Sequence, residues 1–326
     1  MSGEALGGAG SALGRAICCN LRASGAYMRR MSSYSDQLLA IGRRVLEPYS
    51  KLEGAACAAI TGSSAEGLSD EFSDLDMTVY YARLPPEAAI LAVREQVGGG
   101  PVTWRIGEHS DGEFAMAFRV QGVECQIGHV TIERWEADME RVLRGEELAS
   151  PLHKAMSGTL ISIATLGPEL LEKWKSRLRA YPDSLAAAMV KHHLQFFPTW
   201  GLLPRLGRRN AELWMRQVMV ESSFNVVGAL AGLNRQYFTP FQFKRTSAFF
   251  RTFTISPPAL GERLDALWKK SLPDAAMALR ELVAETVDLI EQHMPGVDTT
   301  AARKALARND PPWTSDPLKS DKSRPG

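Results

Sequence analysis

The chain has 326 residues, with 38 Lys and Arg against 37 Asp and Glu, a formal net charge of +1, and 45% hydrophobic residues. The length sets an expectation of two domains, and the composition is that of an ordinary globular protein. A near-neutral balance argues against an enzyme that tracks long nucleic acid, and no apolar run reaches the roughly 20 residues of a membrane span.

Residues 1–32 are small and Gly/Ala-rich, but Arg15 and Arg22 interrupt them and no charged region precedes an apolar one, so they read as a flexible extension rather than a signal peptide. Met28 and Met31 are alternative starts within it. Residues 33–48 have Leu38, Leu39, Ile41, Val45 and Leu46 near helical spacing, with Pro48 as the stop. A strand over 55–60 runs into Gly62 and Ser63, a polar stretch with Gly67 comes next, and Ser73-Asp74-Leu75-Asp76 opens a strand over 74–81. Pro85 and Pro86 start a helix that ends at the glycines of 98–100. Strands are expected over 102–106, 113–120 and 123–132, the last two joined by a Gln121-Gly122 turn. This alternation predicts an α/β (α+β) domain over 33–135 with a small mixed sheet.

After Trp135 the pattern is helical nearly throughout, broken by Pro151, Gly167-Pro168, Pro182, Pro198, Gly207, Pro240 and Pro257-Pro258. The longest helices are expected over 210–233 and 274–293, in an all-α bundle spanning 136–308. Residues 309–326 are polar and rich in proline and lysine, the composition of a disordered tail. Four cysteines, Cys18, Cys19, Cys57 and Cys125, have neither zinc-site spacing nor disulfide density. Cys57 and Cys125 fall in expected core strands as buried thiols, which suits a reducing cytoplasm.

The chemistry concentrates between residues 60 and 79. Residues two apart on a strand share a face, so Asp74 and Asp76 lie side by side. Two such charges are unfavourable unless one protonates or a cation lies between them. Gly62 and Gly67 let backbone amides approach an anion, and the Ser63 hydroxyl adds a donor. The competing reading is an acidic surface turn, since Ser-Asp pairs are common in turns. Gly-Ser, a nearby glycine, then Ser-Asp-x-Asp and an apolar strand resemble the signature of the polymerase-beta-type nucleotidyltransferase superfamily. The chain looks most like its bacterial aminoglycoside and lincosamide nucleotidyltransferases. The likeness is specific over about residues 55–130 and rests on layout beyond them.

The resemblance implies Mg2+, two ions, held by Asp74, Asp76 and a third acid from a later strand. In the stretch Gly122-Val123-Glu124-Cys125-Gln126-Ile127, Glu124 is the sole acid, where the family usually has Asp. Glu124 as third ligand, as a solvent-facing residue, or as the mark of a degenerate site are the open readings. Glu113 is the reserve candidate, and Asp111 beside Gly112 reads as a turn residue. Ser63 and the amides around Gly62 are expected on the nucleotide phosphates, and Ser73 either joins them or caps its turn.

Cations for the triphosphate are expected from the helices. Of Lys191, Arg235, Lys244 and Arg245, Arg235 and Lys244 stand out as nucleotide-binding, with ordinary surface charge and helix capping as the equal alternative. His192 and His193 are adjacent on a helix and diverge, which makes them poor joint ligands. Phe196, Phe197, Trp200, Trp214, Tyr237 and Phe238 are expected in the bundle core rather than in an acceptor wall.

The expected function is transfer of a nucleoside monophosphate from an NTP such as ATP to a hydroxyl of a small acceptor, an antibiotic among the options, with release of pyrophosphate. The alternatives are a protein acceptor, RNA-end extension, and a nucleotide-binding regulator without turnover.

Overall fold

A computed structural model describes residues 32–311. Residues 1–31 of the expected extension and 312–326 of the expected tail lie outside the described residues, as do Cys18 and Cys19. Ser32 caps the first helix, α1 (Ser33–Tyr49), by accepting a hydrogen bond from the Ser35 N–H. The buried stripe of α1 is Ser35, Leu38, Leu39, Gly42, Val45, Leu46 and Tyr49, a helical period that fixes one face on the sheet. A Cβ at Gly42 would stand 2.7 Å from Ile60 Cδ1, so glycine allows that close approach.

The sheet-forming part continues through β1 (Ala55–Thr61), α2 (Gly62–Glu66), β2 (Leu75–Tyr81), α3 (Glu87–Gln96), β3 (Trp104–Glu108), β4 (Glu113–Val120) and β5 (Val123–Thr131). β4 and β5 form a hairpin whose Gln121 and Gly122 both have positive φ, as a two-residue turn of matching twist requires. Next come α4 (Ile132–Leu143), α5 (Leu152–Ile161), β6 (Ile163–Leu166), α6 (Pro168–Arg179) and α7 (Asp183–His193). The six-stranded sheet has the order β3-β4-β5-β2-β1-β6, with β2 and β5 parallel and the other pairs antiparallel. The protein is therefore a mixed α/β structure. β6 lies within the stretch expected to be helical; it has four residues, too few for period-two alternation to stand out between two helices.

One sheet face packs on α1 and α3 through Ile60, Leu75, Met77, Val79, Phe114, Met116, Phe118, Cys125 and Ile127. The other face carries Cys57, Ala59, Tyr80 and Val130 against Trp135 and Met139 of α4, Met156 of α5, Trp174 of α6 and Leu185 of α7. This second core crosses residue 135, where the sequence changes character. Cys57 and Cys125 are free and buried, and burial pushes their thiols up to about 12 and about 11.

A third core joins the remaining helices: α8 (Thr199–Gly207), α9 (Glu212–Leu233), α10 (Thr246–Phe250), α11 (Leu260–Leu267), α12 (Leu272–His293) and α13 (Thr300–Ala307). Gly228 and Gly232 let α9 lie close on α7, since a Cβ at Gly228 would meet the His193 ring at 2.4 Å. Asn234 ends α9 and ties it to the segment around Thr254 and Ile255. Its Nδ2 donates to Leu230 O and Ile255 O, and its Oδ1 accepts from the N–H groups of Thr254 and Ile255.

Asn234→Ala removes the partners of several part-buried backbone groups at once, at about 1 kcal/mol or more each. The expected outcome is a loss of about 2–4 kcal/mol of stability, read by thermal or urea unfolding.

Candidate active site

Parallel pairing of β2 with β5 runs in register, with Leu75 opposite Cys125 and Asp76 opposite Gln126. Alternation then puts Leu75, Met77, Cys125 and Ile127 in the core beneath α1 and α3. Asp74, Asp76, Glu124 and Gln126 fall on the opposite face. Further along that same face, Tyr80 and Val130 are covered by α4 and α6. The two strands therefore begin polar and half-open and end in core. On the adjoining strand, Arg119 stands opposite Glu124 and Ala117 opposite Gln126.

The corner after β1 closes on this face. Gly62 has φ +68°, and a Cβ there would lie 2.2 Å from Asp76 Oδ2, so a side chain would collide with the carboxylate. Gly67, at φ +73°, ends α2, its N–H donating to Ser64 O and that of Leu68 to Ser63 O. A serine network fixes the next loop to α1. Ser32 Oγ donates to Ser69 O, the Ser69 N–H donates to Ser35 Oγ, and the Ser63 and Ser69 hydroxyls are 3.1 Å apart. Ser73 holds its own turn: its hydroxyl donates to Asp70 Oδ1 and accepts from the Asp70 N–H. That is the capping role of the two considered for it.

Burial, and then the neighbouring Asp74 charge, raise the Asp76 carboxyl to about 6, against the opposing fields of the Lys154 and Lys244 ammonium groups. The Asp76 carboxyl thus lies within the fields of Asp74 and of these two lysines.

The third acid is arranged differently from the expectation. Gln126 Nε2 donates to Asp74 Oδ2 at 3.0 Å and to Glu124 Oε1 at 3.1 Å. Arg119 lies 3.8 Å from Glu124 Oε2. Among the described residues, no three His, Cys, Asp or Glu side chains form a group able to hold a metal ion. Glu124 therefore joins Asp74 through an amide and does not complete a three-acid set. Glu113, the reserve, pairs with Arg134 and lies opposite Val130, four positions along β5 from Gln126. Asp111 is in a short turn that Gly112 closes. The Asp74–Asp76 pair itself suits a hard divalent cation, being two oxygen ligands that repel each other in a desolvated corner.

Lys154 is a functional candidate that sequence reasoning missed. It sits in the first turn of α5, where the helix dipole disfavours a cation, and that misplacement is the signal that marks it. Its Nζ donates to Gln242 Oε1 at 2.6 Å and lies 5.7 Å from the Phe241 ring centroid. Lys244 is held by the strap after α9. Phe243 in that strap packs on Phe238 and Phe249, and Arg245 reaches Asp70 at 3.4 Å, which ties the strap to the motif loop. Phe241 of the strap and Phe72 of the loop are exposed, at 50% and 89%.

Other candidates point elsewhere. Arg235 is bound to Asp183 at the start of α7, and Lys191 acts on Asp298. Beside Arg235, Tyr237 is structural, its hydroxyl donating to Leu178 O. His193 is buried with Nδ1 3.0 Å from Asn225 Oδ1. Phe196, Trp200, Tyr237 and Phe238 are core, whereas Phe197 and Trp214 are partly exposed and meet edge to face.

A family model described as a domain of unknown function, DUF4037, matches residues 154–244. The stretch opens and closes on the two lysines that act on Asp76. No curated protein matches the chain. A solved nucleotidyltransferase-like protein from Exiguobacterium sibiricum 255-15 is similar at 13% identity, over 86% of this chain and 84% of that one, with a TM-score of 0.31. That score is too low to carry a fold or an activity across. No helix among the described residues is long and apolar enough to cross a membrane.

Because the folded Asp76 carboxyl titrates near 6 against 3.8 when unperturbed, ionising it costs stability. The cost is fully present above pH about 6 and vanishes below about 4. Solvent at the open side screens it to about 1–2 kcal/mol. In metal-free buffer, Asp76→Asn is expected to melt above wild type at pH 8, with the difference shrinking as pH falls to 4, read by scanning calorimetry.

Proposed function

We propose that the chain is a metal-dependent nucleotidyltransferase that moves a nucleoside monophosphate from an NTP to a hydroxyl of a small acceptor and releases pyrophosphate. The observation that carries this reading is a carboxylate pair, Asp74 and Asp76, whose buried member Asp76 lies in the fields of two lysines, Lys154 at the head of α5 and Lys244 on the strap after α9. Carboxylates with ammonium groups near them have the polarity that a metal-bound triphosphate requires.

Asp74 and Asp76 would hold Mg2+, with the Gly62 corner packed against Asp76. The ion, when bound, neutralises the charge on the triphosphate and on the departing pyrophosphate. Lys154 and Lys244 supply ammonium donors to the phosphate oxygens, replacing Arg235, whose guanidinium is committed to Asp183. The acceptor hydroxyl oxygen bonds to the α-phosphorus as the bond to the bridging oxygen breaks, the hydroxyl proton passing to water and the pyrophosphate leaving with the bridging oxygen. Positioning and charge neutralisation then account for most of the rate. An antibiotic remains one option for the small acceptor.

A regulator that binds nucleotide without turnover is the second reading. The Gln126 amide, standing where a catalytic site would bring ligands together, is the observation that favours it.

The test is calorimetric titration of ATP and GTP, with and without Mg2+, and then pyrophosphate release with a panel of hydroxylated acceptors. Lys154→Ala and Lys244→Ala are each expected to weaken Mg2+-dependent binding by about 10–100-fold, and Arg235→Ala by less than about twofold. Binding indifferent to both lysines and to Asp74→Ala would sink the assignment. Binding without pyrophosphate release for every acceptor would select the regulator.

A further inference from the structure

The nitrogen of the Gln126 amide lies between two carboxylates, 3.0 Å from Asp74 Oδ2 and 3.1 Å from Glu124 Oε1. With acceptors on both sides, the amide has to present its NH2 and not its carbonyl, one hydrogen to each acid. A second cation shared by Asp74 and a third acid would occupy the same gap. Register makes the arrangement systematic. Gln126 is directly opposite Asp76, and Asp74 and Glu124 are each one same-face step earlier on their strands. The remaining Glu124 oxygen forms an ion pair at 3.8 Å with Arg119 across the β4–β5 hairpin, so both of its oxygens already face a partner group.

We propose that this is a one-cation site, in which the Gln126 carboxamide takes the place of a second divalent ion between Asp74 and Glu124. The inference rests on the reading of Asp74 and Asp76 as metal ligands. A neutral amide satisfies two carboxylate oxygens and fixes their separation, but it supplies no Lewis acid there. Glu124 then acts as a positioning residue: through Gln126 it orients Asp74 for the single ion, and it is not itself a ligand. An acid at position 126 would reverse the arrangement, because three carboxylates in one gap require a cation to coexist.

The experiment counts bound Mn2+ by electron paramagnetic resonance and by calorimetry on the full chain, in wild type, Gln126→Glu, Gln126→Asp and Asp76→Asn. The expected result is one saturable Mn2+ per chain in wild type, its loss in Asp76→Asn, and two per chain in at least one of the two acidic variants. Each acidic variant should also gain a larger Mn2+-induced rise in melting temperature than wild type, a readout independent of activity. The shorter Gln126→Asp keeps the test open if Gln126→Glu fails to fold. Two ions in wild type would overturn the inference and leave the nucleotidyltransferase reading standing. A single ion in both folded acidic variants would overturn it in the same way. No saturable ion in wild type or in either folded acidic variant would overturn both.

Discussion

Parallel, in-register pairing of β2 with β5 is the constraint on which the rest of the site depends. Because the two strands run the same way, their polar ends coincide and their apolar ends coincide. Asp74, Asp76, Glu124 and Gln126 share one end of a sheet face, and Tyr80 and Val130 share the other, under α4 and α6. An antiparallel partner would have set Val130 near the carboxylates and left Glu124 in the core. A one-residue slip of either strand would have turned its acids into the packing of α1 and α3. The hydrophobic alternation that makes the sheet stable is therefore the same pattern that gathers the charge.

Gathering charge has a cost, and the fold shows where it is met. Asp74 is answered by the Gln126 amide and Glu124 by Arg119 and Gln126, whereas Asp76 is left with its burial and its neighbour, and its carboxyl rises. The helical half contributes the compensating sign at a distance, through a lysine at the head of α5 and another on the strap after α9. The phenylalanine cluster around Phe238, Phe243 and Phe249 anchors that strap, so that an apolar core sets the position of Lys244.

Much of the candidate site's geometry was legible in the sequence, and the rest was hidden for physical reasons. Asp74 and Asp76 were legible because a period of two and a flanking apolar strand determine their face without further information. Gly62 was legible because its corner needs a residue with no side chain, and the structure presses the Asp76 carboxylate into that space. Glu124 was found as the acid of its strand, yet its function depends on what stands beside it in space. Gln126 attracted no notice because an amide carries no charge to search for. Lys154 escaped because an isolated lysine early in a helix has no motif. Arg235 was chosen from its polar surroundings, which say nothing about the partner, Asp183, that commits it. β6 was lost inside a helical pattern because pairing with β1, not any local signal, makes it a strand.

The tie between Arg245 and Asp70 spans 175 positions of the chain. Contacts this non-local form late, because closing so long a loop loses conformational entropy before any local gain is realised. During synthesis the sheet and its carboxylates emerge first, and the strap that bears Lys244 emerges well over a hundred residues later. For that interval the chain displays an acidic corner with Lys154 but without Lys244. Chain order thus presents the carboxylates well before the strap that carries Lys244.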